Sequence, residues 1–165
     1  RALISMGHRR IGIISGPVNS FNSQKRLVGI QQALFEASIP YNVGTTVIGD
    51  WTRECGYHAA SQLLSQGVTA IYAFSDKMIS GVYTYCIEHR ISVGKDISLF
   101  GFDDSDIVHA YTPPLASAKP DLQEMGHKAA ELVLAQLQGK TVCTKCHVLP
   151  CTIHVRPSVC SIGEA

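Results

Sequence analysis

The sequence predicts an α/β protein, a parallel sheet flanked by helices. Three observations carry that expectation. Apolar runs of strand length at residues 11–15, 45–48, 70–74 and 97–102 are too short for buried helices. Between them lie longer stretches whose apolar residues recur at helical spacing. Strict alternation of the two means parallel strands joined by helical crossovers.

The elements follow in order. Ala2 to Gly7 reads as the last turn of a helix stopped by a glycine cap, with His8, Arg9 and Arg10 clustered beyond it. Residues 11–15 form the first strand, closed by Gly16-Pro17. A helix from about residue 23 to 38 carries Leu27, Ile30, Leu34 and Ala37 on one face. After Ile39-Pro40 and the second strand, Thr52 is a helix cap with Glu54 in the first turn, and that helix runs to Gln66. The third strand gives way to a helix at Ser75-Asp76, with Ile79, Val82, Cys86 and Ile87 on one side. Beyond the fourth strand come a rigid Tyr111-Thr112-Pro113-Pro114 turn, an extended piece at 115–118, and a long helix from Lys119-Pro120 to about Gln138, with Pro120 suited to its first position. Short strands at roughly 147–149 and 152–156 finish the fold.

The stretch from Asp96 to Asp104 concentrates the functional expectation. A parallel strand there delivers Asp103 to the carboxyl edge of the sheet, and open α/β sheets bind ligands in the crevice outside that edge. An ionised carboxylate offers only acceptors and takes paired hydrogen bonds from neighbouring hydroxyls, so the acids suit a polyol or a cation. Asp104 or Asp106 can instead cap the next turn. Asn22, Arg26, Trp51, Ser75, Asp76 and Asp103 all fall just past strand ends, and the topology gathers them into one crevice. Arg26 opposes the dipole of its own helix start, so something outside the helix should reward its placement. The alternative is a surface arginine paired with Glu36 or Asp50, or simply solvated. Trp51 either packs in the core or offers a flat face to a sugar ring.

Composition excludes several classes. The chain has 165 residues, 45% of them apolar, and a formal net charge of +1. No basic stripe marks a nucleic-acid grip, and no apolar run approaches the roughly 18 residues that span a bilayer. Opening on Arg1, the chain reads as beginning mid-protein. Of six cysteines, Cys143, Cys146, Cys151 and Cys160 crowd the tail. Cys143-Thr-Lys-Cys146-His147 has the local form of a haem-attachment motif or half a zinc site, which Cys151 or Cys160 would have to complete. The reading favoured is reduced thiols in a surface loop of a cytosolic protein, with no metal and no cofactor.

Several motifs, in this order and spacing, give the chain a family likeness: Gly7-His8-Arg9-Arg10-Ile11 leading to Gly16-Pro17, Lys25-Arg26-Leu27-Val28-Gly29, Gly49-Asp50-Trp51, Val93-Gly94-Lys95-Asp96-Ile97-Ser98 through Gly101-Phe102-Asp103-Asp104, Pro113-Pro114-Leu115, and Val155-Arg156-Pro157-Ser158. With them the chain resembles the effector-binding core of the lactose and galactose repressor family of bacterial transcription regulators. The resemblance implies a periplasmic-binding-protein-like (type I) subdomain over residues 1–118. Residues 119–146 would form a crossing helix and loop belonging to a partner subdomain, and 147–165 the closing strands and tail. It also implies an amino-terminal half of the core and a DNA-reading helix-turn-helix outside this segment.

By position, Arg26 resembles the family's effector-binding arginine, Trp51 its aromatic platform, Ser75 a polar contact often filled by asparagine, and Asp103 its hydroxyl-binding acid. Pro120 and Leu122 stand where some relatives have glutamine and phenylalanine contacts. A dimer surface would fall near residues 52–55, 80–84 and 107–112, with Ser80, Tyr83 and Tyr111 in it. The expected protein is a cytoplasmic homodimeric regulator, a repressor, that binds a small sugar-like effector and operator DNA, touches no membrane and is not an enzyme. A periplasmic sugar-binding protein of the same architecture is the alternative. A nucleotide-dependent enzyme fits less well, since Gly12 to Gly16 is not the glycine-rich phosphate fingerprint.

Overall fold

The structure is a computed structural model that describes residues 1–140 and 146–163. A six-stranded sheet runs in the order β2-β1-β3-β4-β5-β6. Its strands are β1 (Ile11–Ser15), β2 (Thr46–Ile48), β3 (Ala70–Ala73), β4 (Ser98–Phe102), β5 (Ala116–Pro120) and β6 (Cys151–His154). The first five are parallel, with Ile13 opposite both Thr46 and Tyr72. β6 returns antiparallel, with Ala118 opposite Ile153. Helices α1 (Ala2–Ser5), α2 (Phe21–Glu36), α3 (Arg53–Ser65), α4 (Asp76–Glu88) and α5 (Leu122–Leu137) join them. The α/β expectation is met.

Strand alternation divides the core, because successive side chains point to opposite faces. Ile14, Ile71, Ala73 and Leu99 join Leu63 of α3 and Met78, Ile79 and Val82 of α4 in the main cluster. Ala70, Phe100, Ala116 and Ala118 join Leu3 and Val159 in a second. Helices α3 and α4 meet at two glycines: a Cβ on Gly56 would lie 1.9 Å from the Met78 carbonyl oxygen, and one on Gly81 would lie 1.9 Å from that of Arg53.

The basic cluster before β1 is structural. Arg9 donates to the Ala37 carbonyl at 3.0 Å and Arg10 to that of Gln66 at 2.8 Å, so each places a cation at the carboxyl end of a helix. His8, fully buried, joins the Thr69 hydroxyl and the Cys160 carbonyl, each at 3.0 Å, and fastens the tail to the start of the sheet.

Four expectations need correction. Helix α2 starts earlier than residue 23, because Ser20 caps it by accepting from the Ser23 N–H. Pro120 does not open α5; it ends β5 opposite Cys151, and Asp121 caps the helix by accepting from the Glu124 N–H at 2.9 Å. Residues 147–149 form no strand. The segment after Asp104, read as a turn, contains a 3-10 helix, Asp106–Ala110. No residue of α5 is buried, and Leu122, Val133, Leu134 and Leu137 face solvent.

Candidate functional site

The chain leaves β1 for β2 on one side and returns to β3 on the other, so strand order reverses at β1. A crevice opens at the carboxyl ends of strands on either side of such a reversal. Helix α2, the loop before α3 and the end of β4 bring candidate residues to that edge.

Arg26, one turn into α2, reaches across to the ends of β3 and β4. Its Nη1 donates to the Phe74 carbonyl, and its guanidinium carbon lies 3.5 Å from the centre of the Phe102 ring. Because α2 begins at Phe21, Arg26 lies past the first turn and meets little of the helix dipole; the carbonyl bond and the cation–π contact are what hold its guanidinium at the strand ends. It pairs with neither Glu36, which binds Arg1 at 2.8 Å, nor Asp50, which accepts from Thr52 at 2.6 Å.

Asp103 follows Phe102 and is exposed. Partial desolvation of its carboxyl against the protein and the charge of Asp76 push its pKa up, while Arg26 pulls the other way. Trp51 has φ 70°, in the left-handed region, and is half-buried. Its indole lies against Gly16, where a Cβ would come within 2.1 Å of Cζ2 and 2.3 Å of the Ser23 hydroxyl. Trp51 and Ser23 thus meet at Gly16, and further along α2 Arg26 meets Phe102, which Asp103 follows in the chain. Asn22 stands exposed in the first turn of that helix.

Other candidates are placed differently. Ser75 is buried and caps α4, accepting from the Met78 N–H at 3.3 Å. Asp76 is 1% exposed and both its oxygens are occupied by Ser105 and Ser117, so it is not a rim acceptor. Asp104 neither faces the crevice nor caps the next turn. Its side chain is 3% exposed and lies 2.7 Å from Nη2 of Arg156 and 2.9 Å from Nδ1 of His154. Arg156 also donates to the Leu115 carbonyl at 2.7 Å. Burial pushes the Asp104 carboxyl up, but the hydrogen bond and charge of Arg156, with the charges of His154 and His109, more than offset that and hold it below the usual carboxylate range.

Ser80 and Tyr83 are buried inside the chain rather than presented on a surface. The Ser80 hydroxyl turns back to the Lys77 carbonyl at 2.7 Å, and that of Tyr83 donates to the Thr112 carbonyl at 2.6 Å. Tyr111 is half-buried with its ring 4.3 Å from that of Tyr83.

Among the described residues no three His, Cys, Asp or Glu side chains are grouped to hold a metal, and Cys143 lies outside those residues. A cavity of about 420 Å³ between α1, α2 and the Phe100 face of the sheet is apolar and meets the crevice only at Arg26. Sequence reasoning missed Phe102, whose signal is an aromatic at the end of a strand next to an acid. It also gave Arg156 no role, although that residue stands in a quoted motif.

Residues 1–159 match the periplasmic binding protein-like domain family. The chain belongs to that family. It is 31% identical over 142 residues to the lactose operon repressor of Escherichia coli (strain K12), covering 85% of this chain and 39% of that protein. It is 34% identical over 158 residues to the HTH-type transcriptional repressor CytR of Escherichia coli (strain K12), covering 94% of this chain and 46% of that protein. Among solved structures, the complex of the transcriptional regulator CelR with cellobiose superposes with a TM-score of 0.88 at 31% identity, over 95% of this chain and 49% of that one. The lac repressor dimer bound to operator superposes with a TM-score of 0.87 at 29% identity, over 96% of this chain and 55% of that one. The chain thus spans about half the length of the curated relatives it matches. No helix among the described residues is long and apolar enough to cross a membrane.

Proposed function

We propose that this chain is the effector-binding, self-associating part of a bacterial transcriptional repressor whose hold on operator DNA is set by a small sugar-like ligand. The observation that carries the reading is Arg26, held over Phe102 beside Asp103 at the strand ends. A guanidinium offers fixed donors and a carboxylate only acceptors, so neighbouring hydroxyls can accept from one and donate to the other. Trp51 would add an apolar ring face. The cellobiose complex of CelR supports a sugar, and the similarity to CytR supports repression through a helix-turn-helix. The protein would act in the cytoplasm by binding, without a cofactor or a chemical step.

Residues 1–118 and 147–165 would form one subdomain, and 119–146 would carry α5 against another. The solvent-facing Leu122, Val133 and Leu137 support that division. Coupling to DNA requires only that the effector bind one arrangement of the subdomains better than the other.

A thermal-shift screen of the full-length protein against neutral mono- and disaccharides and nucleosides, followed by calorimetry on the best ligand, tests the site. Asp103→Ala should weaken binding about 30-fold or more, the worth of one or two charged hydrogen bonds, at an unchanged melting temperature. Equal binding by wild type and variant, or no hydroxylated ligand at all, would defeat the reading. For self-association, Tyr111 remains as a candidate anchor supported from beneath by Tyr83. Tyr111→Ala should raise the dimer dissociation constant about tenfold or more in sedimentation equilibrium; an unchanged constant removes Tyr111 from the interface.

A further inference from the structure

Asp76 begins α4 at the end of β3, yet its carboxylate serves neither the crevice nor any cation. It passes over β4 at Gly101, where an added Cβ would lie 2.3 Å from Oδ1. Beyond that point it gathers the segment after β4. Oδ2 accepts from the Ser105 backbone N–H at 2.7 Å and from its hydroxyl at 3.1 Å, and Oδ1 accepts from the Ser117 hydroxyl at 2.7 Å. The Ser117 oxygen in turn accepts from the Asp104 N–H at 3.1 Å. Between β4 and these anchors stand Asp103 and Asp104, with φ of 117° and 53°. Non-glycine residues in such conformations cost on the order of 1 to 3 kcal/mol each and persist only where surroundings over-determine them.

The carboxylate itself is expensive to keep. Burial raises the pKa of Asp76 against the pull of its Ser117 and Ser105 bonds, and the neighbouring charge of Asp104 adds to the rise. A buried acid with only neutral donors stabilises nothing that an apolar side chain would not, unless its acceptors hold something in place. What they hold is the left-handed pair.

We propose that Asp76 is a positioning residue: its buried carboxylate, acting through Ser105 and Ser117, fixes the backbone turn that leaves Asp103 at the rim of the crevice. The consequence for binding rests on the reading of Asp103 given above, but the geometry concerned does not need a ligand.

Amide hydrogen exchange in the ligand-free full-length protein tests it. In Asp76→Asn, which keeps shape and volume but loses one acceptor, the Ser105 and Asp104 amides should exchange about tenfold faster or more while those of β1 and β3 stay protected. Wild-type rates at both amides would overturn the proposal. Should Asp76→Asn fail to fold, Ser117→Ala cuts only the relay: the Asp104 amide should then exchange faster with Ser105 unmoved, and Ser117→Thr should restore it. An unmoved Asp104 amide in Ser117→Ala would also overturn it. A loosened turn together with ligand binding untouched by Asp103→Ala would sink the role of Asp103 and leave that of Asp76 standing.

Discussion

Gly81→Ala should destabilise the chain by about 3 kcal/mol or more, the upper range for forcing a methyl into packed backbone. The new Cβ would stand 1.9 Å from the Arg53 carbonyl oxygen and 2.7 Å from the Tyr57 nitrogen, and backbone cannot step aside as a side chain tip can. α3 and α4 would have to separate, opening the cluster that Leu63, Met78, Ile79 and Val82 close. Gly29→Ala supplies the control: that helical position has no neighbour within 4 Å, so the same methyl should stabilise by about 0.5 to 1 kcal/mol. Urea unfolding of both variants checks the pair. Equal and small effects would mean that the helices are not in contact through these glycines.

Arg156→Ala should cost about 3 kcal/mol at neutral pH, because it leaves the enclosed Asp104 carboxylate with only His154. The pH dependence follows from the sign of the shift. The folded state holds the Asp104 carboxyl below its unfolded value, so its contribution is complete above the ordinary carboxylate range and disappears as pH falls through the folded value. Without the guanidinium its hydrogen bond and charge no longer oppose burial, and the folded-state value rises. The gap between wild type and variant should therefore narrow as unfolding is followed from pH 7 down to about 4. A gap constant with pH would show that Arg156 contributes packing rather than charge.

Much of this fold is legible in the chain because its signals are local. The run ending at Phe102 is apolar and strand-length, and Thr52 precedes a helix as a capping hydroxyl; both stand in the structure as read. The place of Asp103 follows from topology alone, since it comes directly after β4, whereas Arg26, in the second turn of α2, reaches the strand ends only through its long side chain. What stays hidden is decided by residues distant along the chain. Asp76 carries the same signature as Asp103, an acid directly after a strand, and only partners 29 and 41 residues away turn it inward. Asp104 is likewise claimed by Arg156. Pro120 fits a first helical position locally, but β6 pairs with it and keeps it in the sheet. Ser80 stands on a helix face that no pattern distinguishes as covered, yet it is fully buried.

The side chains at the rim and those that hold the rim in place belong to different sets. Asn22 and Arg26 lie on α2, Trp51 just before α3 and Asp103 just after β4, whereas Asp76, Ser117 and the Asp104 ion pair are enclosed. Under the role proposed for the rim, ligand preference could change there one contact at a time with the enclosed layer unaltered, whereas a change in that layer would strike folding and recognition together.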